Sequence, residues 1–394
     1  MLNAPFTFLD ATHVRLAGRR LLYFAGCNYL GLSWHSAVRR ALARAAEGPM
    51  LQPGASRATT GEQTCYRQFE RRLARVFSVE NTAYVTSGYL APIAACQSLR
   101  ESVTHVLLDD HAHPCVSDGA VLTGKIVNRF PHADPGALRA AVRSLPRNAR
   151  PLVACDGTYG IRGGVTPLDA YLDALPRRGF LLVDDAHGAG TVGPRGRGIV
   201  ELFGLCDPRI IQTISLAKAF GVSGGAVLGS HERIVAVREK AAGFIGTTSP
   251  LRPVIAALEA SLRIFQKHPQ LFARLQSNVA LLNHLLPGRA AIIGDPRTPV
   301  VGVFPTSLAQ AEALRTALLR AEIFPPFIRY VTGPGTGFFR FALSALHTPA
   351  EIRLLARTIA GSLRTPDLAP KRFAALKKSD IGRSRTRDKR IGTR

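Results

Sequence analysis

The stretch TISLAKAFGV, from Thr213 to Val222, runs from an apolar strand pattern to a single lysine. Lys218 is its only charged residue, and the neighbouring side chains are small or apolar. Because such neighbours remove part of the hydration of an ammonium group, they favour the neutral amine and lower its pKa. A neutral amine is a nucleophile, which indicates Schiff-base chemistry with a carbonyl compound. The alternative is a structural lysine whose ammonium group extends from the edge of the core into water.

Short apolar strands alternate with helices around Lys218, from residue 82 to about residue 230. The predicted strands are 83–86, 105–108, 125–128, 152–155, 180–183, 210–214 and 225–228. This alternation predicts an α/β fold with a mostly parallel central sheet that helices cover on both faces. Ligands bind at the carboxyl ends of the strands in such a sheet, so we expect functional side chains directly after each strand.

The segment before this sheet has a different pattern. We predict an irregular start, a short strand at 20–24, a loop at 26–31 and an amphipathic helix at 36–46. A glycine-containing loop at 53–61 then leads into a second helix.

The composition is that of a soluble globular protein with a large core, since 46% of the 394 residues are hydrophobic and 20% are charged. No apolar run approaches the ~18 residues that span a bilayer, and the N-terminus lacks a basic segment followed by an apolar one, so we expect a cytoplasmic protein. The six cysteines are dispersed without a CxxC pair, which predicts small buried side chains and suggests neither a disulfide framework nor a zinc site.

The formal net charge is +24, and part of it lies in residues 365–394, which contain ten Lys and Arg against three Asp. A run of this kind without apolar periodicity is typical of a solvated, disordered tail. Contact with nucleic acid or with an anionic carrier protein is the alternative.

Two of the predicted strand ends carry polar groups suited to a ligand. Ser87, Gly88 and Tyr89 follow strand 83–86 and open a helix, an arrangement whose free backbone N–H groups suit a phosphate. His113 follows strand 105–108 together with a second histidine. Metal binding, stacking of the imidazole on a cofactor ring and a plain loop position all remain open for His113.

Two further strand ends carry groups that can act on a cofactor ring. Asp184 follows an all-apolar strand, and a buried carboxylate needs a cation or several donors to stay ionised. A protonated pyridine nitrogen is such a cation, and His187 could then reach a ring hydroxyl. Helix capping and surface solvation are the alternative for this pair. With Ser215 and Lys218 after the next strand, the four sites together predict a pyridoxal-phosphate (PLP) site.

Seven motifs in chain order are similar to those of the α-oxoamine synthases, a family of fold-type-I enzymes that depend on PLP. They are NYLGL (28–32), SGY (87–89), DDHAH (109–113), VDDAHGAGTVGPRGRG (183–198), SLAKAFGVSGGAVL (215–228), TTS (247–249) and RFALSALHT (340–348). The resemblance covers about residues 20–362. It implies an N-terminal segment (1–55), a PLP-binding large domain (56–255) and a smaller α+β C-terminal domain (256–364), followed by the basic tail (365–394).

The resemblance also implies a role for each matching residue. Lys218 would hold the cofactor covalently and later move the Cα proton, Asp184 would pair with the pyridine nitrogen, and His187 would pair with the phenolic oxygen. His113 would stack on the ring. The phosphate would be bound by Ser87, Gly88, Tyr89 and Ser215.

Other matching residues concern the substrate and the assembly. Arg340 would bind the carboxylate of an amino acid, a planar bidentate task for which lysine is a poor substitute. Asn28 would line the substrate pocket. Thr247 and Thr248 would reach the phosphate in the neighbouring subunit, which implies a homodimer with shared active sites.

The implied reaction joins a small amino acid to an acyl thioester, carried by coenzyme A or a carrier protein, with loss of carbon dioxide and release of a 2-amino ketone. The amino acid, the acyl chain and the carrier remain open. A fold-type-I aminotransferase is the main alternative, because it would share Lys218 and Asp184. A non-catalytic partner subunit is a further one, against which Lys218 argues.

Overall fold

The computed structural model describes residues 5–161, 163–286, 292–329 and 337–363. In these ranges the strands are β1 Thr7–Phe8, β2 His13–Leu16, β3 Arg19–Leu22, β4 Asn81–Val85, β5 His105–Asp109, β6 Ile126–Phe130, β7 Pro151–Asp156, β8 Phe180–Asp184, β9 Ile210–Ser215, β10 Gly225–Gly229, β11 Ile292–Ile293, β12 Val300–Val303, β13 Phe327–Ile328 and β14 Phe338–Ala342. The helices are α1 Ser36–Ala46, α2 Thr64–Phe77, α3 Leu90–Ser98, α4 Pro114–Leu122, α5 Pro135–Arg143, α6 Leu168–Ala174, α7 Ile199–Leu202, α8 His231–Lys240, α9 Ala242–Ile245, α10 Arg252–Lys267, α11 Pro269–Leu285, α12 Leu308–Arg320 and α13 Pro349–Ser362. The predicted basic tail lies outside the described residues.

The central sheet has seven strands in the order β4-β10-β9-β8-β7-β5-β6. Strands β9, β8, β7, β5 and β6 pair in parallel, whereas β10 is antiparallel to both of its neighbours. All seven strands were predicted from the sequence, with ends that differ by one or two residues. Every residue of β7 and β9 is buried, which is why these strands read as continuous apolar runs rather than as alternating patterns.

One edge of this sheet collects the polar residues that follow the strands. The parallel strands β5, β7, β8 and β9 all end there, and β10 begins there, because Gly225 pairs with Ser215 at the end of β9. Gly225 also pairs with Val85 at the end of β4, so Ser87 and Gly88 lie at the same edge. This edge is where the parallel sheet predicts a ligand site.

The N-terminal segment is more regular than we predict from the sequence, and this prediction is corrected. β1, β2 and β3 form an antiparallel sheet, where only one strand was expected. Both residues of β1 are exposed, so hydrophobic periodicity gave no signal for it. β3 also joins the C-terminal part of the chain: the N–H of Leu22 donates to the carbonyl oxygen of Glu322 at 2.7 Å.

The C-terminal part contains a small antiparallel sheet in the order β11-β12-β14-β13. Helices α11, α12 and α13 belong to the same region, which confirms a smaller α+β unit after the central sheet. The limits of the predicted domains stay predictions. No helix in the described ranges combines the length and the apolar character needed to cross a bilayer.

A buried ion-pair network joins the loop before α2 to α2 and α8. Glu70 is 1% exposed and accepts from both terminal nitrogens of Arg57 at 2.8 and 3.0 Å. Arg238 donates to the same carboxylate at 2.8 Å, and so does the backbone N–H of Tyr84 in β4. The carboxylate of Glu70 therefore pairs with two guanidinium groups underneath an edge strand of the central sheet, and Glu62 pairs with Arg57 as well at 3.0 Å.

Candidate active site

Lys218 lies in the loop between β9 and β10, where its neighbours Leu216 and Ala219 are fully buried. Burial lowers the pKa of its amine; the negative charge of Asp184 opposes this shift but does not cancel it. The amine Nζ lies 2.8 Å from Nε2 of His187. A partly desolvated lysine beside a neutral acceptor is suited to act as a nucleophile and a base.

His187 links Lys218 to the N-terminal segment. Its Nδ1 lies 2.7 Å from the hydroxyl oxygen of Tyr29, a residue with no exposed surface. Burial, together with the positive charge of Lys218, lowers the pKa of His187 well below its ordinary value, so the imidazole is neutral. The chain Tyr29, His187, Lys218 fixes the position of the amine by hydrogen bonds through both ring nitrogens.

Asp184 ends β8, and its carboxylate has two protein donors. Thr213 in β9 donates to Oδ1 at 3.0 Å, and the thiol of Cys115 lies 3.5 Å from Oδ2. Burial raises the pKa of Asp184, while the positive charge of Lys218 opposes that shift. A buried carboxylate in this state is stabilised by a cation placed next to it, which is what a protonated pyridine nitrogen provides.

A second buried carboxylate, that of Asp156, ends β7 directly beside Asp184 in the parallel register. Burial, reinforced by the negative charge of Asp184, raises the pKa of Asp156 well above its ordinary value. Two adjacent carboxylates in a dry site do not both ionise. Asp184 has the closer donors and is the one we take as charged, whereas Asp156 stays protonated and accepts from the backbone N–H of His113 at 3.3 Å.

Asp185 points to the opposite side of the sheet and is structural. Its Oδ2 accepts from the N–H of Ile199 at 2.8 Å and from the side-chain amide of Gln212 at 2.7 Å. These contacts fix the glycine-rich loop that leads into α7. Side chains of successive residues in an extended segment point to opposite faces of the sheet. Asp184 and Asp185 therefore cannot both point to the face on which the ligand would lie.

His113 lies at the N-terminus of α4, where Nδ1 accepts from the N–H of Cys115 at 3.3 Å. Its ring is exposed at the sheet edge, 6.1 Å from the ring of Tyr89 between centroids. The ligand atoms of His113, Cys115 and Asp184 lie within 4.8 Å of one another, a grouping that a metal ion could also use. An exposed ring above the edge is equally placed to stack on a flat cofactor.

The predicted phosphate cradle is assembled from two elements. Ser87 accepts from the N–H of Tyr89 at 3.1 Å and thereby shapes the turn into α3. A Cβ atom on Gly88 would lie 2.7 Å from Oγ of Ser215, so only glycine allows this close approach. The two serine hydroxyls and the backbone N–H groups of the turn therefore lie together at the N-terminus of α3, where an anion is favoured.

Thr247 and Thr248 lie apart from Lys218, in the loop after α9. Together with Thr86 and Arg57 they line a small recess. Thr248 is exposed and pairs with Ser56 in an isolated bridge. Thr86, which lines the same recess, directly precedes Ser87, so this loop lies close to the predicted phosphate site.

Arg340 in β14 reaches the site from the C-terminal sheet and is 8% exposed. Its Nε donates to the carbonyl oxygen of Gly160, and Nη2 lies 3.4 Å from the hydroxyl of Tyr29 and 3.5 Å from Sγ of Cys27. Asn28, which we predict in the substrate pocket, lines the adjoining cleft, but the side chain next to Arg340 is that of Cys27.

The cleft has a volume of about 610 Å³ and leads from Cys27, Asn28 and Ala217, next to Lys218, to the surface. Aromatic rings and one arginine also line it: Phe8, Tyr23, Trp34 and Arg39. This volume and this partly apolar lining suit a substrate with an apolar part.

Several functional residues were missed by sequence reasoning: Cys27, Tyr29, Cys115, Asp156 and Gly160. Asp156 could have been found, because it ends a predicted strand as Asp184 does. Cys27 and Tyr29 flank the predicted Asn28, yet only the fold shows that they contact Arg340.

The residues present fit PLP. One edge of the sheet holds four groups that PLP requires: a nucleophilic amine, a carboxylate for the pyridine nitrogen, an exposed imidazole and a phosphate site. At residue 88 the phosphate site has no room for a side chain larger than that of glycine. These features define a PLP-dependent enzyme of fold type I.

The comparisons with known proteins agree with this class. The model of the family described as aminotransferase class I and II matches residues 20–359. The 8-amino-7-oxononanoate synthase of Aromatoleum aromaticum is 33% identical over 351 residues, 89% of this chain and 91% of the relative. The 8-amino-7-oxononanoate synthase 1 of a Polaromonas species is also 33% identical, over 89% of each chain.

Solved structures show the same architecture. Serine palmitoyltransferase from S. paucimobilis, with a bound adduct of PLP and myriocin, has a TM-score of 0.83 and 25% identity over 90% of each chain. The 8-amino-7-oxononanoate synthase of Francisella tularensis has a TM-score of 0.73 over 86% of this chain and 97% of that one; its 22% identity supports the fold alone. The chain belongs to the aminotransferase class I and II family and, within it, to the α-oxoamine synthases, and its cofactor is PLP.

Proposed function

We propose that this chain condenses a small amino acid with an acyl thioester, releasing carbon dioxide and a free thiol and forming a 2-amino ketone, as expected for an 8-amino-7-oxononanoate synthase. The observation that carries this proposal is that Arg340 contacts Cys27 at 3.5 Å and acts on the charge of Lys218, while Cys27 and Ala217 line a cleft of about 610 Å³. The guanidinium provides a site for the carboxylate of an amino acid, and the cleft provides room for an acyl chain. An aminotransferase, the alternative, has no need for a second substrate site of this size.

The chain supplies binding, orientation and proton transfer. When bound, PLP supplies an electron sink for the electrons of the Cα–H bond. Arg340 holds the carboxylate, which places Cα next to the amine of Lys218, and that amine accepts the Cα proton. Tyr29 and His187 fix the amine in position.

The residues near Lys218 support a small amino acid. Gly26, Cys27 and Ala217 line this end of the cleft. At Gly160 a Cβ atom would lie 2.3 Å from Nε2 of His187, so a side chain at this position would have to displace the imidazole. Glycine, alanine and serine are therefore the first amino acids to test.

Thiol release is the test of this function. The PLP-loaded protein is incubated with glycine, alanine or serine and with acyl-CoAs of several lengths, with and without a terminal carboxylate, and free thiol is measured. We expect release with one amino acid. Conversion of PLP to its amine form without thiol release would instead establish an aminotransferase.

Replacing Arg340 with lysine is expected to raise the KM for the amino acid by about 10- to 100-fold, because an ammonium group cannot make the planar bidentate contact to a carboxylate. Steady-state kinetics with the amino acid as the varied substrate measure this change. Arg353→Lys, an exposed position on α13 outside the lining of the cleft, is the matched control and should leave that KM unchanged. An equal KM for Arg340→Lys and the parent would contradict the assignment.

We also infer a homodimer in which Thr247 and Thr248 act on the site of the neighbouring subunit, supported by the exposure of Thr248 beside the cradle. Chains with Lys218→Ala are unfolded and refolded together with chains carrying Thr247→Val and Thr248→Val. Action across subunits is expected to restore about a quarter of the parent activity, since one intact site forms in each mixed dimer and half of the dimers are mixed. No restoration would show that the threonines serve their own chain.

A further inference from the structure

The terminal nitrogens of Arg340 are its least satisfied donors. Nε donates to Gly160, whereas Nη1 lies 3.5 Å from the carbonyl oxygen of Ala25 and Nη2 lies 3.4 to 3.5 Å from Tyr29 and Cys27. Burial acts to lower the pKa of Arg340, yet the pKa is raised, and among the described residues Cys27, which is not a carboxylate, contributes most to that rise. These nitrogens are the part of the guanidinium that an anion can bind.

Cys27 can itself become that anion. Burial raises the pKa of its thiol, but in the cofactor-free protein the positive charges of Arg340 and Lys218 outweigh burial and leave the pKa below its ordinary value; Arg340, the larger of the two effects, stays beside the thiol when PLP is bound. The other titratable neighbours, Tyr29 and Tyr23, have pKa values raised by burial and stay neutral. Cys27 therefore becomes a thiolate paired with Arg340 at a lower pH than a thiol in water would.

The proposed function assigns the same nitrogens to the carboxylate of the amino acid. A thiolate and a carboxylate beside one guanidinium repel each other in a partly desolvated site. Binding of the carboxylate must then either displace the sulfur or protonate it.

We propose that the thiolate of Cys27 and the carboxylate of the amino-acid substrate compete for Arg340, so that substrate binding is coupled to the uptake of one proton by Cys27 and is blocked when Cys27 is alkylated. The proposal rests on the proposed function for the identity of the substrate. It makes Cys27 a positioning residue that controls Arg340, and a modification site for thiol-directed electrophiles.

Access to Cys27 is provided by the cleft, because Cys27 is one of its lining residues and is partly exposed. Other cysteines differ in exposure and serve as internal references: Cys206 is exposed, whereas Cys96 and Cys155 are buried. Iodoacetamide is a suitable probe, since the thiolate sulfur attacks its CH₂ carbon, a sulfur–carbon bond forms and iodide leaves.

The first experiment measures alkylation of each cysteine in the PLP-loaded protein by mass spectrometry of peptides. We expect an amino-acid substrate at ten times its Kd to slow alkylation of Cys27 by about tenfold and to leave Cys206 unaffected. Propionate, which has a carboxylate but no amine, should protect Cys27 in the same selective way. An unchanged rate at Cys27, while the absorbance of PLP shows the amino acid bound, would overturn the proposal.

The second experiment measures amino-acid affinity from the absorbance of PLP between pH 6 and pH 9, for the parent and for Cys27→Ser. Serine keeps the size of the side chain but does not ionise in this range. Relative to this variant, the parent should lose up to about tenfold in affinity per pH unit above the pKa of Cys27. Identical pH profiles would exclude the coupling.

The two experiments separate this proposal from the proposed function. Protection of Cys27 by propionate, with no response of PLP to any amino acid, would support the competition at Arg340 and argue against the proposed reaction. Thiol release from an amino acid and an acyl-CoA, with Cys27 equally reactive throughout, would support the reaction and overturn the competition.

Discussion

Replacing Lys218 with alanine is expected to lower the rate of thiol release by about 10³-fold or more, because the variant loses both the nucleophile that holds the cofactor and the base next to Cα. Borohydride reduction followed by mass spectrometry should then find no PLP attached to the chain. The remaining residues of the cradle and Asp184 are unchanged, so PLP should still bind without the covalent link.

Lys267→Ala is the matched control. Lys267 is exposed at the end of α10 and has no part in the site, so this variant should keep the parent activity and the covalent attachment of PLP. Attachment of PLP to the Lys218→Ala chain at the parent level would mean that another amine holds the cofactor.

Replacing Glu70 with alanine is expected to destabilise the protein by about 3–5 kcal/mol, because Arg238 would lose its carboxylate partner and the buried Arg57 would keep only that of Glu62. Arg57 is 6% exposed, and Nε and Nη1 of Arg238 already lack hydrogen-bond partners in the described structure. In the cofactor-free protein we expect the thermal midpoint to fall by at least about 4 °C.

Glu312→Ala removes a carboxylate that pairs with Arg315 on the surface of α12, and it serves as the control. Surface pairs contribute little to stability, so this variant should melt like the parent. Equal midpoints for both variants would show that water or rearrangement compensates the two guanidinium groups near Glu70.

The central sheet could be predicted because its strands are short apolar runs between helices, and the site could be predicted because its groups follow those strands. The direction of β10 was not predicted, although the connection from Ser215 to Gly225 is too short for the crossover that parallel neighbours need. β1 gave no signal because its side chains are exposed. Both failures concern secondary structure, which was predicted from the local pattern of apolar residues.

The amino-acid pocket is different, since its parts are far apart in the sequence. Nothing in the segment around Cys27 indicates that Arg340 will lie 3.5 Å away. The six cysteines were all expected to be small buried side chains, yet Cys206 is exposed and Cys27 lies in the cleft. The residue type of a cysteine does not show which charged side chain the fold will place beside it.

The pairing of the two ends of the chain has a consequence for synthesis on the ribosome. All seven strands of the central sheet have been synthesised once β10 has emerged. The N–H of Ala342, however, donates to the carbonyl oxygen of Phe24, and that of Ala345 donates to the carbonyl oxygen of Tyr29. The first thirty residues therefore cannot form these contacts until β14 has been synthesised. Chains are made from the N-terminus, and domains fold as they emerge. In a nascent chain the cofactor-binding residues at the strand ends of the central sheet can therefore come together early, whereas the pocket around Arg340 forms only when translation is nearly finished.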